Sequence, residues 1–505
     1  MHRVTRPSPR RGLRAFALAL ALLSGFASRT ARAEPAESGA DGAPESARPR
    51  VRYRLEGVEV RGNVRTRSRV VLRYVPFHAG EPLEVEDPEL ELTRYRLLGT
   101  GFFSSVQLSL RKGKQRGLVV LVIDVVERNT VVVNDLWMGL TADADRSGNA
   151  RPLSAYGGLD VSETNLAGTG ITLGAAIGVA EEQLALRTRF FDPAFLGTEW
   201  MASASLLYND AQDYFGNRDV LYVDPSVTGR VQDFAVVRYK RFGGTLGVGH
   251  DLSVSTQVSF DLRLERIDAQ LPAAASHRRG LDVEPIRFDI EGGKSVLAVA
   301  RATLQHDTRD TPILPTRGWN ASLLADLATP AFGSSYGFTK LQLRASRFWP
   351  LPWRHVARLD LFGGAVWGDP PFFEKFYVGD FTDLLPDRVL DLNPDRRPAP
   401  NFLGTDIAEV RYGDYAAKVQ GEYRVPLYRG HRAVYGVDLF GAAGVYAVAA
   451  SRDLLDPPRG YTGLQQIPVD LTFNLGLRID TNAGGFVFAF SNVLGFAPVH
   501  RGARP

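Results

Sequence analysis

The residues that could do chemistry in this chain are few and scattered. There are 8 His and no Cys among 505 residues. Without thiols, neither a disulfide framework nor thiolate chemistry is available. The histidines show neither H-E-x-x-H nor paired-ligand spacing, so zinc has no template. His306-Asp307 opens a Pro/Gly turn and reads as turn chemistry rather than as a dyad. Asp143, Asp145 and Ser147-Gly148 imitate the start of a calcium loop, but position twelve is Ser154, where a bidentate Glu is needed. Gly168-Thr169-Gly170 lacks the helix that a phosphate loop requires. No G-x-S-x-G elbow occurs. No enzyme activity and no cofactor are expected.

The elements around these residues give a clearer signal. Val296, Ala298, Ala300, Ala302 and Leu304 alternate with Arg301, Thr303 and Gln305. After the turn HDTRDTPILPTRG, alternation resumes with Trp319, Ala321, Leu323, Ala325 and Leu327 against Asn320, Ser322 and Asp326. Period two on both sides of a polar Pro/Gly segment predicts an antiparallel hairpin. Strands of ~10 residues cross a tilted path through a bilayer. A small apolar face opposite a polar one is the pattern of a transmembrane barrel, with lipid outside and lumen inside. The same pattern recurs from Thr130 onward, most cleanly in Leu252–Leu264. All 6 Trp fall in this region, and Trp349, Trp353 and Trp367 lie near predicted strand ends, where an aromatic girdle belongs.

Composition agrees. Mean hydropathy is −0.12, and beyond the N-terminus no apolar run reaches the ~20 residues of a spanning helix. A net charge of +4 on this length gives no reason to expect nucleic acid. The first 33 residues read as a secretory signal: Arg3, Arg6, Arg10, Arg11 and Arg14, then apolar Ala15–Ala27, then Ala31-Arg32-Ala33. Residues 34–50 read as a disordered linker. Residues 51–128 read as a separate small unit of order strand, helix, helix, strand, strand. Its second helix has Asp87 as N-cap and Pro88 at the first position.

The segments GVEVRGNVRTRSRVVLRYVPFHAGEPL, LLGTGFFSSVQLSL and LVVLVIDVVER make this unit resemble a POTRA domain. POTRA domains are the periplasmic modules of outer-membrane assembly factors of the BamA/TamA type. Downstream, LDVSETNLAGTGITLG, RFFDPAFLGT, TLQHDTRDTPILPTRGW and LGLRIDTNAGGFVFAF are similar to segments of the same family's barrel. The resemblance implies an α+β POTRA domain (51–128) followed by a transmembrane antiparallel β-barrel of about 16 strands (129–505). It implies a Gram-negative outer-membrane location with the POTRA domain in the periplasm. The implied work is insertion or assembly of outer-membrane proteins without nucleotide. The alternative is a two-partner-type secretion pore for a dedicated exoprotein, and a passive barrel is a third reading. Expected partners are unfolded outer-membrane proteins and outer-membrane lipids, with periplasmic or lipoprotein partners left open.

Two sets of residues carry the implied site. Client segments would add as a strand at a POTRA sheet edge, for which Val106, Leu108 and Leu110 are the candidates. The family's loop arginine, in a V-R-G-F/Y tip, meets a wall acid in the lumen. This chain lacks that string between Gly379 and Asp414, and Ala442 stands where the acid would be. A rebuilt lock of Arg388 with Glu422 or Asp438 is expected instead.

Overall fold

The structure, a computed structural model, describes residues 52–144, 150–216, 220–222, 234–272, 274–382, 388–398, 401–430, 432–455 and 459–491. The signal segment 1–33 and the linker 34–50 lie outside the described residues.

The N-terminal unit is built on the apolar strand β4 (Leu118–Glu127), whose Val119, Leu121, Ile123 and Val125 are buried. β1 (Arg52–Arg61) runs parallel to it. β2 (Pro82–Glu84), a short strand that the periodicity did not reveal, pairs with β1. β3 (Phe103–Lys112) pairs with the other side of β4, so the sheet order is β2-β1-β4-β3. α1 (Ser68–Leu72) and α2 (Pro88–Gly99) cover one face with Val70, Val71 and Leu97. Asp87 caps α2 by accepting from the Glu89 N–H at 2.9 Å.

Among the described residues, most of the rest forms one sheet of 15 antiparallel strands in sequence order. They are β5 (Val131–Ala144), β6 (Ala150–Glu163), β7 (Thr172–Ala180), β8 (Gln183–Asp192), β9 (Trp200–Phe215), β10 (Ala235–Ser253), β11 (Thr256–Gln270), β12 (Gly293–Asp307), β13 (Gly318–Ala328), β14 (Gly337–Pro350), β15 (Val356–Asp369), β16 (Tyr415–Arg429), β17 (Val434–Ala449), β18 (Val469–Thr481) and β19 (Gly484–Ser491). The opening hairpin of the sequence reading is β12–β13, with Ala302 opposite Ala325. Outward Phe242, Leu246, Leu262 and Leu264 are exposed as lipid-facing residues must be, and Trp200, Trp319 and Trp349 lie at the periplasmic ends of their strands.

The two halves of the lumen differ. Toward the periplasm the inner face is polar, with Asp160 gripped by Arg189 and Asp438 by Arg429. Toward the outside it is apolar, and Val237, Tyr239, Leu297, Val299 and Phe338 join a buried core with residues of the loop between β15 and β16. Two extracellular loops add a small sheet of their own, Val220–Tyr222 with Ala275–Arg279 and Asp282–Pro285, which the sequence reading missed.

The POTRA unit docks on the barrel's periplasmic turns. Glu127 accepts the N–H groups of Arg65 and Thr66, which shapes the segment before α1. Burial pushes this carboxyl up, but those N–H groups outweigh it and hold its pKa below the usual range. The Arg67 N–H then donates to the Gly168 carbonyl at 2.9 Å. Gly168 has φ +71°, and a Cβ there would lie 1.9 Å from the Arg65 carbonyl oxygen. Only glycine permits that approach. Arg73 and Arg96 both reach Asp251 at the end of β10, at 3.1 and 2.7 Å.

Candidate functional site

The loop from 370 to 414 enters the lumen. Its neck is closed by a two-residue ladder, Phe376–Tyr377 with Tyr412–Gly413. Below the neck an aromatic cluster seats it: Phe372 lies 5.2 Å from Phe215 and from Tyr239, ring centre to ring centre, and Phe373 stacks on Tyr239 at 5.7 Å. Such pairs add about 0.5–1.5 kcal/mol each beyond burial.

The loop tip is Val389–Leu392, where Val389 and Leu392 bridge. The two residues between them, Leu390 and Asp391, have φ +52° and +68°. Left-handed backbone at two consecutive non-glycine residues costs about 1–3 kcal/mol apiece and persists only where surroundings enforce it. The wall enforces it here. Asn209 on β9 donates to the Leu390 carbonyl at 2.9 Å. The Asp391 carboxylate accepts from Arg187 on β8 at 2.5 Å and from Arg241 on β10 at 3.1 Å. Arg241 is fully buried and also donates two hydrogen bonds to Glu265 on β11, at 2.8 and 3.1 Å. Its guanidinium lies over the Phe373 ring at 4.2 Å. The loop is thus a stopper: an acid at its tip is gripped by two wall arginines.

The expected lock of Arg388 with Glu422 or Asp438 is not formed. Arg388 donates to Asp380 of its own loop at 3.0 Å. Glu422 accepts from Arg478 at 2.6 Å, and Asp438 pairs with Arg429 at 2.6 Å and Arg424 at 3.6 Å. Both acids are already held by wall arginines in the periplasmic half of the lumen, away from the loop tip. The stopper reverses the expected polarity, with the acid on the loop and the arginines on the wall. Arg187, Arg241 and Glu265 were legible as charged residues, since Arg241 and Glu265 break the apolar run of their strands' inner faces. Nothing in the sequence paired them with Asp391.

A second feature lies at the ends of the sheet. Among the described residues, β5 and β19 share no ladder and are the sheet's two margins. They meet at the periplasmic base, where the Val133 N–H donates to the Ala483 carbonyl at 2.7 Å. Beyond that point, Val487 and Phe488 are 54% and 61% exposed although adjacent residues face opposite sides.

The third feature is on the POTRA unit. β3 is an edge strand. Val106 packs into the core, while Leu108 and Leu110 are half-buried. Beside it, a groove of about 980 Å³ runs between β3 and α2, lined by Leu90, Arg94, Leu108, Leu110 and Lys112. The three candidate side chains face inward or into the groove, so a partner strand would meet β3 through its backbone. No group of three or more His, Cys, Asp or Glu among the described residues could hold a metal ion.

An edge-exposing α+β unit beneath an antiparallel barrel defines a POTRA-bearing outer-membrane protein, with the POTRA domain in the periplasm. Residues 53–128 match the POTRA model, described as surface antigen variable number repeat, and residues 165–384 match the Omp85 superfamily domain. Residues 53–128 are thus a POTRA domain and residues 165–384 an Omp85-superfamily domain. It is similar to an outer membrane protein assembly factor BamA of Nitratidesulfovibrio vulgaris, 23% identical over 451 residues, covering 87% of this chain and 50% of that one. It therefore spans about half the length of that relative. Among solved structures it resembles CdiB from Escherichia coli, with TM-score 0.54, 13% identity, and 87% and 73% of the two chains covered. A BamA from Haemophilus ducreyi lacking POTRA domains 1–3 gives TM-score 0.47 at 15% identity, covering 87% and 81%.

Proposed function

We propose that the chain moves polypeptide from the periplasm into or across the outer membrane. One observation carries this reading: an open POTRA edge with its groove is held beneath a barrel whose two marginal strands, β5 and β19, share no ladder among the described residues. An unpaired strand edge gives backbone hydrogen bonds without regard to sequence. A polypeptide in lipid must pair every backbone group, so its strands gain by leaving an edge for a closed sheet.

Two forms of this work have separate support. In the secretion form, a dedicated exoprotein passes through the lumen. The stopper supports it, because its tip is seated on the wall by side chains and can leave without unzipping a barrel strand. The polar periplasmic half would suit an extended chain. In the insertion form, unfolded outer-membrane proteins leave sideways through the β5–β19 seam, and the surrounding lipid receives them. The lumen supports the secretion form better, since a built stopper implies a passage worth closing.

The test is purified protein in planar bilayers and in liposomes. The secretion form expects low conductance that becomes large and steady when Asp391 and Arg241 are both replaced. The insertion form expects faster folding of a denatured outer-membrane barrel, lost when residues 51–128 are removed. Absence of both conductance in the doubly substituted protein and accelerated folding across several clients would sink the proposal.

A further inference from the structure

The turn between β12 and β13, residues 308–317, does more than reverse the chain. It is braced internally: Asp310 accepts from the Thr316 N–H at 2.8 Å and the Arg317 N–H at 3.4 Å, and Arg309 forms a forked pair with Asp307. So braced, Ile313-Leu314-Pro315 reaches across the periplasmic mouth to strands far along the sheet. Leu314 is buried although it belongs to a turn. A Cβ on Gly436 of β17 would lie 2.7 Å from Leu314 Cδ1, and a Cβ on Gly485 of β19 would lie 2.7 Å from Ile313 Cγ2. Each apolar knob therefore sits in a hollow left by a glycine. The Pro315 carbonyl accepts from the buried Arg424 of β16.

Gly485 lies two residues past Ala483, whose carbonyl makes the basal bond to Val133. On β18, opposite Gly485, Asp480 pairs with Arg128 at 3.3 Å, at the junction of the POTRA unit and the barrel. The turn also touches the POTRA unit, since Arg317 lies 3.8 Å from Glu91 on α2. One element thus meets the POTRA helix, the two strands β16 and β17, and β19 at its base.

We infer that Ile313–Pro315 is a wedge that clamps the base of β19 against β5, and that withdrawing it frees the seam. This goes beyond the transport reading, because it concerns how the seam is held whatever passes. A side chain of Ile or Leu size in a glycine hollow excludes the small shifts that would let β19 swing. The clamp is apolar, so it is steady in salt, while its link to the POTRA helix is an exposed pair and is adjustable.

The chain has no Cys, so spin labels can be placed at will. Met138→Cys and Phe488→Cys on the full chain in nanodiscs report the seam by pulsed dipolar spectroscopy. The expected result is one narrow distance distribution in the parent and a broad, longer one in Ile313→Gly/Leu314→Gly. Backbone amides of 486–490 should exchange roughly tenfold faster in that variant. Gel heat-modifiability checks that the barrel is folded. If the double variant does not fold, Gly485→Ala applies the same displacement from the other side and should broaden the distribution alone. An unchanged distribution and unchanged exchange in a folded wedge variant would overturn the inference. None of these readouts involves transport, so the inference can fail while the transport reading stands, and the reverse.

Discussion

The lumen is crossed at both ends, by opposite means. At the outside, a long loop is seated by a buried ion cluster, Asp391 with Arg187, Arg241 and Glu265. At the periplasm, a short turn is seated by Ile313 and Leu314 against glycines. A buried ion cluster tolerates little change in geometry, and removing one partner leaves a charge stranded. Apolar knobs lose only the area and contacts deleted. The outer closure should therefore behave as all-or-none and the inner one as graded.

The largest effect should come from Arg241→Ala, which strands Glu265 and weakens the seat of Asp391. We expect a loss of about 3–5 kcal/mol in stopper seating, read as protease cleavage within 388–398 and raised conductance. Arg241→Met with Glu265→Leu should cost less, because Glu265 is no longer stranded and Asp391 keeps Arg187. Equal damage from both would break the contrast between the closures. Next comes Leu314→Ala, expected to cost about 2–3 kcal/mol by cavity formation, seen as a lower midpoint for exchange at the base of β17. Leu314→Met should recover most of it.

A smaller effect separates the two ends by pH. Arg279 in the extracellular hairpin pairs with Asp406 at 2.6 Å and Asp453 at 2.5 Å. Burial pushes the Asp406 carboxyl up to about 6, against the pull of Arg279 and with the help of Asp453. The folded cap then holds this proton more tightly than the unfolded loop does. Its stability should rise as pH falls through about 6 toward the ordinary carboxylate range, and be lost on the way back. Protease resistance of the extracellular loops should follow that course and become flat in Asp406→Asn, while the wedge shows no such dependence. The smallest effect is from salt. Raising ionic strength to about 1 M should weaken the exposed Glu91–Arg317 contact by less than ~1 kcal/mol and leave Ile313 in place, as exchange at 484–486 would show.

The barrel was legible because each strand sees lipid on one side and lumen on the other, which writes period two into β10–β13. Its edges were less so. Leu166 lies in the turn after β6, where Ala167 takes φ +50°. The POTRA edge could be named from order and composition, since β3 is a hairpin strand with a polar outer face. The stopper could not, because Asp391 meets partners 204 and 150 positions away. The DTRDTPILPTRG segment announced a turn. That its middle crosses the mouth to Gly436 and Gly485 depends on two glycines over a hundred residues later. Reading by family pattern pointed to Arg388, three positions from the acid that the wall holds.

The stopper also orders the birth of the barrel itself. Its grip needs β8 and β10, made long before it, but the Phe402 and Leu403 N–H groups donate to Asp470 on β18, at 2.8 and 3.0 Å. Contacts so far apart in the chain form late. The loop's seat is therefore complete only once β18 is in place beside it.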